Sequence, residues 1–305
     1  MSYSIEQALW HNIIEENLYD DAWQKLTPAL RDDSAFNNAG TIVIPQAGTA
    51  SSVTAGNDAY PIQIRKRSDE VHSYNLTNLE VGPELIQFKD QQQISYNKVE
   101  SILRDLTRNL GLRAAREIMK GIYHSTANKR VETSGGSAGA THAPNSTQSV
   151  KTITIDDIFE AKKMLSNQDY PTDNLFLAID YTMWHQIMEG VRFAANRDNV
   201  TGGAGLNDAV FPIAGVQPIV FSNVLFTQSN YTARPVDHAG AAGDRAAAIL
   251  FAREATSYAA TPIQSFAEPG RSEYFGGTYS ATIWLGGSYR RKDKKGVVPI
   301  VQANA

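Results

Sequence analysis

Cysteine is missing from all 305 residues. That excludes a disulfide framework, thiolate zinc sites and cysteine nucleophiles. Net charge is small as well, −4 at pH 7, so the chain lacks the basic excess that coats nucleic acid. No apolar run approaches the roughly 18 uninterrupted residues of a membrane span. The opening MSYSIEQALWHNIIEENLYDD is acidic and amphipathic; a secretory signal needs a basic start and an apolar core. These absences predict a soluble chain made in a reducing cytoplasm, with no pro-segment ahead of its structured sequence. What is present is globular material, 42% hydrophobic and 20% charged, long enough for two domains or one with long excursions.

Catalytic motifs are equally sparse. Gly135-Gly136-Ser137-Ala138-Gly139 matches the G-x-S-x-G nucleophile elbow, but that motif works only where a buried strand turns into a helix. The flanks are Glu132, Thr133, Thr141, His142, Ala143 and Pro144, and residues 133–149 read as a flexible, low-complexity linker. Gly202-Gly203-Ala204-Gly205 and Gly276-Gly277 complete no phosphate-binding pattern. The histidines His11, His72, His124, His142, His185 and His238 contain no i, i+4 pair and no H-E-x-x-H. Asp156-Asp157 opens a helix, where acids suit the positive dipole end. The expectation is no catalytic residue, no cofactor and no metal. The rival from another class is a soluble hydrolase using Ser137.

The periodicities outline an α+β chain. Residues 4–26 predict an amphipathic helix with Ile5, Leu9, Ile13, Leu18, Ala22 and Leu26 on its apolar side. Thr41–Pro45 predicts a short strand, followed by a loop over 46–57. Tyr60–Arg67 and Val71–Glu80 predict two strands around a Ser68-Asp69-Glu70 turn, a hairpin too apolar-poor to stand alone. Ser95–His124 predicts a long helix striped by Val99, Ile102, Leu103, Leu106, Leu110, Ala114, Ile118 and Ile122. About thirty residues at 1.5 Å each span ~45 Å, longer than a small enzyme needs. Thr154, with Asp157 three residues on, predicts a capping box opening the helix to Asn167. Leu175–Ile179, Ile213–Ser222, Ala246–Phe251, Tyr279–Tyr289 and Val297–Val301 predict strands, with a basic turn over Arg290–Lys295. Asp180 predicts an N-cap for a helix over Tyr181–Met188, and Thr201–Asp208 an exposed loop.

Charge is distributed unevenly. Residues 1–40 carry seven acids, Glu15 and Glu16 among them, against two bases. Residues 98–130 carry eight bases against three acids. Both fit solvated helix faces; they also fit an acidic arm docking on a basic surface. Arg65, Lys66, Arg67, Asp69 and Glu70 place both signs on the expected hairpin, where mixed charge suits docking on a neighbour.

The order of these features resembles the major capsid proteins of tailed bacteriophages, the HK97-like fold. The likeness rests on Ala39-Gly40-Thr41-Ile42-Val43-Ile44-Pro45 after an arm, a hairpin over 51–90 followed at once by the long helix, Ile155–Leu165 with Tyr170-Pro171 and Leu175–Ile179, and Ile213-Ala214-Gly215-Val216 with Val220-Phe221-Ser222-Asn223. Ala246–Phe251 and the closing strands complete it. The resemblance implies an α+β subunit with an N-terminal arm (1–38), a P-domain strand (39–50), an E-loop hairpin (51–90), a P-domain with a spine helix (91–173), an A-domain (174–261) and closing P-domain strands (262–305). It implies no enzyme but a structural protein of the virion, assembled in the host bacterial cytoplasm. Its partners would be copies of itself in pentamers and hexamers, a separate scaffolding protein, a portal protein, a decoration protein and packaged double-stranded DNA without sequence-specific contact. The alternative within the same fold is an encapsulin-like shell around protein cargo. Lys66 and Lys89 lie in or near the hairpin, yet no partner for subunit cross-linking is evident, so none is expected.

Overall fold

A computed structural model describes residues 21–48, 55–56, 64, 66–87, 98–197 and 213–305. In chain order the main elements are α1 (Asp21–Leu26), β1 (Thr41–Gln46), β2 (Glu70–Asn75), β3 (Thr77–Gln87), α2 (Lys98–Ile122), β4 (Ser137–Ala140), β5 (Ser149–Lys151), α3 (Ile155–Asn167), β6 (Leu175–Ile179), α4 (Tyr181–Arg197), β7 (Val216–Val220), β8 (Arg245–Ala252), β9 (Thr256–Ala260), β10 (Gln264–Arg271), β11 (Gly276–Tyr289) and β12 (Val297–Val301).

The central sheet runs β7–β6–β8–β12 and ends on the two-residue strand Val131–Glu132. Its middle strands are apolar on both faces, LFLAI, RAAAILFA and VVPIV. Such runs bury both faces and need covering on each side. Every residue of β8 and β12 is buried. β6 and β7 are parallel, so they need a long crossover, and α4 lies within it. α3 packs on β12. Its N-terminus has the capping box that the sequence predicts: the Asp157 amide donates to Thr154 Oγ1 at 3.4 Å and the Thr154 amide to Asp157 Oδ2 at 2.8 Å. Asp157 also accepts from the Ser134 hydroxyl at 2.7 Å, which the spacing alone did not reveal.

A second sheet is organised by β11, the longest strand. It pairs antiparallel with β3 along one stretch, with β10 over Gly276–Thr282 and with β9 over Leu285–Tyr289. One face alternates inward through Ala281, Ile283 and Leu285, all buried. The other presents Thr278, Ser280, Thr282 and Trp284 outward. The long helix α2 lies on this sheet and on α1. Its lower half buries Leu110, Ala114, Ile118 and Ile122, the stripe that the periodicity predicts. One core cluster joins α1, α2, the central sheet and the inner side of β11.

Two expectations need correction. Val71–Glu80 is not one strand. The chain breaks at Leu76: β2 pairs with β1 in a small sheet, while β3 joins β11. Leu76 is buried and its amide donates to the Gly40 carbonyl at 2.8 Å, so local hydrogen bonding fixes the change of partner. Residues 133–149 are not wholly linker. β4 and β5 pair within and beside them, and Thr133, Thr141 and Ala143 are buried. Low-complexity composition hides this because the segment is anchored by distant partners: Thr133 Oγ1 donates to the Lys151 carbonyl at 2.9 Å and accepts from the Ala303 amide at 3.0 Å. Two strands, β9 and β10, have no counterpart in the sequence reading. Of the arm helix over 4–26, only α1 falls among the described residues.

Candidate assembly surface

The residues singled out by charge fall into two groups. Glu15, Glu16 and Arg65 lie outside the described residues, as do Lys89 and the loop Thr201–Asp208. Lys66, Arg67, Asp69 and Glu70 lie in the segment entering β2, and all are exposed. Arg67 Nε stands 3.0 Å from Asp69 Oδ1, which also accepts from the Gly48 amide at 2.9 Å. The Gly48 hydrogen bond, outweighing desolvation and backed by Arg67, holds the Asp69 carboxyl below its ordinary value. Glu70 pairs with Lys292 at 2.8 Å. The basic turn after β11 is thereby tied to the start of β2. Gln46 strengthens the tie, its side chain donating to the Arg290 carbonyl and accepting from the Lys292 amide at 3.3 Å. Arg67, Asp69 and Glu70 are thus engaged within the chain, and exposed pairs of this kind contribute little each.

The buried polar groups act as cross-braces. Asp33 is fully buried. Its Oδ2 receives Arg290 Nε at 3.0 Å, and its amide donates to the Tyr258 carbonyl at 2.9 Å. Asp180 caps α4 by accepting from the Thr182 amide at 2.9 Å, as the sequence predicts. It also accepts from the Asn223 amide and faces His142 Nε2 at 3.3 Å. Burial would raise the Asp180 carboxyl. His142 and the two amides outweigh it, and the group lies below its ordinary value. His124 Nε2 donates to the Val297 carbonyl, 3.0 Å away, and its ring lies against that of Tyr289. Burial pulls its imidazole down to about 4. Arg130 lies 3.6 Å from the Tyr231 ring centre and Arg245 lies 5.5 Å from it.

None of these clusters has the geometry of a catalytic centre. Ser137 starts the short strand β4, which pairs with β5 and leads into no helix. A nucleophile elbow requires a strand running directly into a helix. Among the described residues no three histidines, cysteines, aspartates or glutamates converge as metal ligands. No described helix is long and apolar enough to cross a membrane.

Among the described residues the surface carries open grooves and an apolar face. One groove, about 440 Å³, runs between β3 and α2 and is lined by Leu79, Glu80, Leu106, Leu110, Arg113 and Asp237. Another, about 390 Å³, lies on the outer face of β3, β10 and β11 between Pro83, Leu85, Phe266, Arg271 and Tyr274. Leu85, Phe266, Tyr274, Phe275 and Trp284 are all exposed on or beside that sheet. A clustered apolar face is characteristic of contact surfaces. The charge-based reading did not select these residues. In the sequence, the signal for this face is the aromatic pair Tyr274-Phe275 beside Gly276-Gly277.

The architecture is the HK97-like fold of capsid subunits. No family model matches the sequence, and no curated protein sequence does. Solved structures do. The structure titled Mycobacterium phage Che8 superposes with a TM-score of 0.62 at 15% identity, covering 89% of each chain. The capsid of cyanophage P-SCSP1u gives 0.63 at 14% identity, covering 91% of this chain and 87% of that one. A virus-like particle from Pyrococcus furiosus gives 0.56 at 10% identity, covering 97% and 100%.

Proposed function

We propose that this chain is a structural major capsid protein, which associates with copies of itself into pentamers and hexamers and closes an icosahedral shell around double-stranded DNA. One observation carries the reading: the HK97-like fold is matched over about nine-tenths of both chains in structures titled as phage capsids, including those of P-SCSP1u and cyanophage Pam1. The long α2, the extended β3–β11 sheet and the exposed aromatic face support it, because shells are built from many modest contacts whose closure makes later ones effectively intramolecular. On this reading the chain is not an enzyme. Residues 1–38 form an arm, 51–90 an E-loop and 174–261 an A-domain. The acidic arm, with Glu15 and Glu16, meets a basic surface of an adjacent subunit. The chain resides in the virion. Its other partners are a separate scaffolding protein, a portal protein and the packaged DNA, held without sequence-specific contact, with a decoration protein as an optional addition.

A shell around protein cargo is the second reading, since the same fold also matches a virus-like particle from Pyrococcus furiosus over 97% of this chain and 100% of that one. Expression alone and with a candidate scaffolding protein, followed by sedimentation and electron microscopy, tests the proposal. Closed shells or capsomer rings support it. A discrete small oligomer under every condition refutes it. Nuclease-protected DNA inside the shells, rather than a protein cargo, separates the two readings. Charge reversal of Glu15 and Glu16 is expected to weaken assembly in a salt-dependent way.

A further inference from the structure

Phe275 is the most conspicuous of the exposed aromatics. It sits in the turn between β10 and β11, 78% exposed, with a backbone φ of +46°. Positive φ is strongly disfavoured for a bulky side chain, and the turn has glycines immediately after it at Gly276 and Gly277. The tight turn between β10 and β11 accommodates this angle, but it leaves the ring 78% exposed to water. Strain of this kind persists where the surrounding structure or a contact requires it.

The second half of the observation is the groove beside the turn. It is lined by Pro83, Leu85 and Phe266 on the apolar side and by Glu268, Arg271 and Tyr274 on the polar side. Its volume of about 390 Å³ exceeds the roughly 150 Å³ that accommodates a benzene ring in an apolar cavity. Arg271 offers a guanidinium to the face of an incoming ring. The charges are complementary too. The turn carries Glu273, exposed and two residues from Phe275, while Arg271 in the groove is itself exposed and pairs at the surface with Glu268.

We propose that Phe275 of one copy of this chain seats in the Pro83–Leu85–Phe266 groove of a second copy, with Glu273 of the first meeting Arg271 of the second. Knob and groove adjoin at the β10–β11 turn, where Arg271 and Tyr274 line the groove, so the contact closes reciprocally between two copies or repeats head to tail around a ring, and only the second gives rungs above a dimer. The proposal rests on the shell reading above and specifies one of the contacts by which its subunits meet.

The absence of cysteine makes the test clean. A Phe275→Cys, Leu85→Cys double variant is oxidised under assembly conditions and run on a non-reducing gel, beside each single variant. Covalent dimers and higher rungs from the double variant alone support the proposal. Cross-links from Phe275→Cys alone, which require turn-to-turn contact, overturn it, as does an uncross-linked double variant in intact shells. A ladder without shells by electron microscopy keeps the ring contact and refutes the shell reading, so the two failures are distinct. In parallel, Phe275→Ala is expected to raise the concentration needed for assembly by about tenfold or more. Arg271→Glu and Glu273→Arg each weaken assembly, and the two together restore it; equal losses in the singles and the pair overturn the charge contact.

Discussion

Gly121 of α2 rests on the backbone of Gly287 in β11. A Cβ at Gly121 would fall 2.0 Å from the Gly287 carbonyl oxygen, and a Cβ at Gly287 would fall 2.6 Å from Ile118 Cγ2. Helix and strand approach this closely because neither has a side chain at the crossing. From sequence, Gly121 counts only as a weak point in a helix, about 1 kcal/mol worse than alanine. The crossing reverses that sign. Gly121→Ala is expected to lower stability by about 2 kcal/mol, since overpacking against backbone costs about 1–3 kcal/mol and more where it cannot relax. Urea denaturation of the unassembled chain measures it. Gly136→Ala, where an added Cβ meets nothing within 4 Å, is the control and should stay within about 0.5 kcal/mol of the parent. A more stable Gly121→Ala chain would contradict the packing described here.

His124 predicts a dependence on pH. Its imidazole titrates at about 4 in the fold, against an ordinary value of 6.5, chiefly because burial disfavours the charged ring; Lys294 and Lys129 add to this and the Val297 carbonyl opposes it. The folded value is depressed, so the unfolded chain takes up the proton first. The stability is fully present above pH 6.5 and is lost as pH falls toward 4. By linkage the loss at pH 5 is about 2 kcal/mol. Melting temperatures of the unassembled chain at pH 7 and pH 5, for the parent and for His124→Asn, check this. The variant should be less stable at pH 7 and should lose less on acidification. Parallel losses in both would mean that another group is responsible.

The sequence was most informative where burial is two-sided or strictly periodic. LFLAI, AAAILF and VVPIV can only be inner strands, and the stripe Leu110, Ala114, Ile118, Ile122 defines which side of α2 is covered. It was least informative where pairing is with a distant strand of mixed polarity. β10 and β9 read QSFAEPGR and TSYAA, patterns set by β11 rather than by themselves. The break at Leu76 depends on a carbonyl 36 residues away at Gly40. The candidate surface was hidden for a related reason. Charge marks residues that stand out in a one-dimensional list, but Arg67, Asp69 and Glu70 find partners within the chain. Phe275 and the groove become neighbours only when β3 and β10 flank β11.

Asp157 separates a simple cap from a cap that is also a brace. Thr154→Ala removes the Thr154 half of the capping box and is expected to cost about 1 kcal/mol. Asp157→Ala removes its bonds to the Thr154 amide, the Ser134 amide and the Ser134 hydroxyl together. Hydrogen bonds to charged groups contribute about 1.5–3 kcal/mol, so Asp157→Ala should cost at least twice as much as Thr154→Ala. Denaturant midpoints of the two variants decide it. Amide exchange at Ser134 should accelerate only in Asp157→Ala, because only that variant frees the segment leading to β4. Equal effects at both positions would reduce Asp157 to a helix cap.

Asp33 tests whether the segment after α1 is held by charge or by packing. Its carboxylate is fully buried against Arg290, whose side chain is 18% exposed, while Arg31 lies 3.7 Å away and is 48% exposed. Removing one member of a buried pair leaves an uncompensated charge and costs about 3–5 kcal/mol, whereas replacing both by apolar groups is often neutral. Asp33→Ala and Arg290→Met should therefore each destabilise strongly, and the double variant should be much less damaged than their sum. Arg31→Ala should cost less than about 1 kcal/mol, as an exposed partner does. A double-mutant cycle in urea measures the coupling between Asp33 and Arg290. A coupling near zero would place the anchorage in Leu26, Ala29 and Leu30, which are buried just ahead of Asp33, and would leave the carboxylate as a tolerated cost rather than a brace. A large coupling would mean that the segment after α1, β9 and the turn after β11 are held at one point, so that loosening any one of them loosens the others.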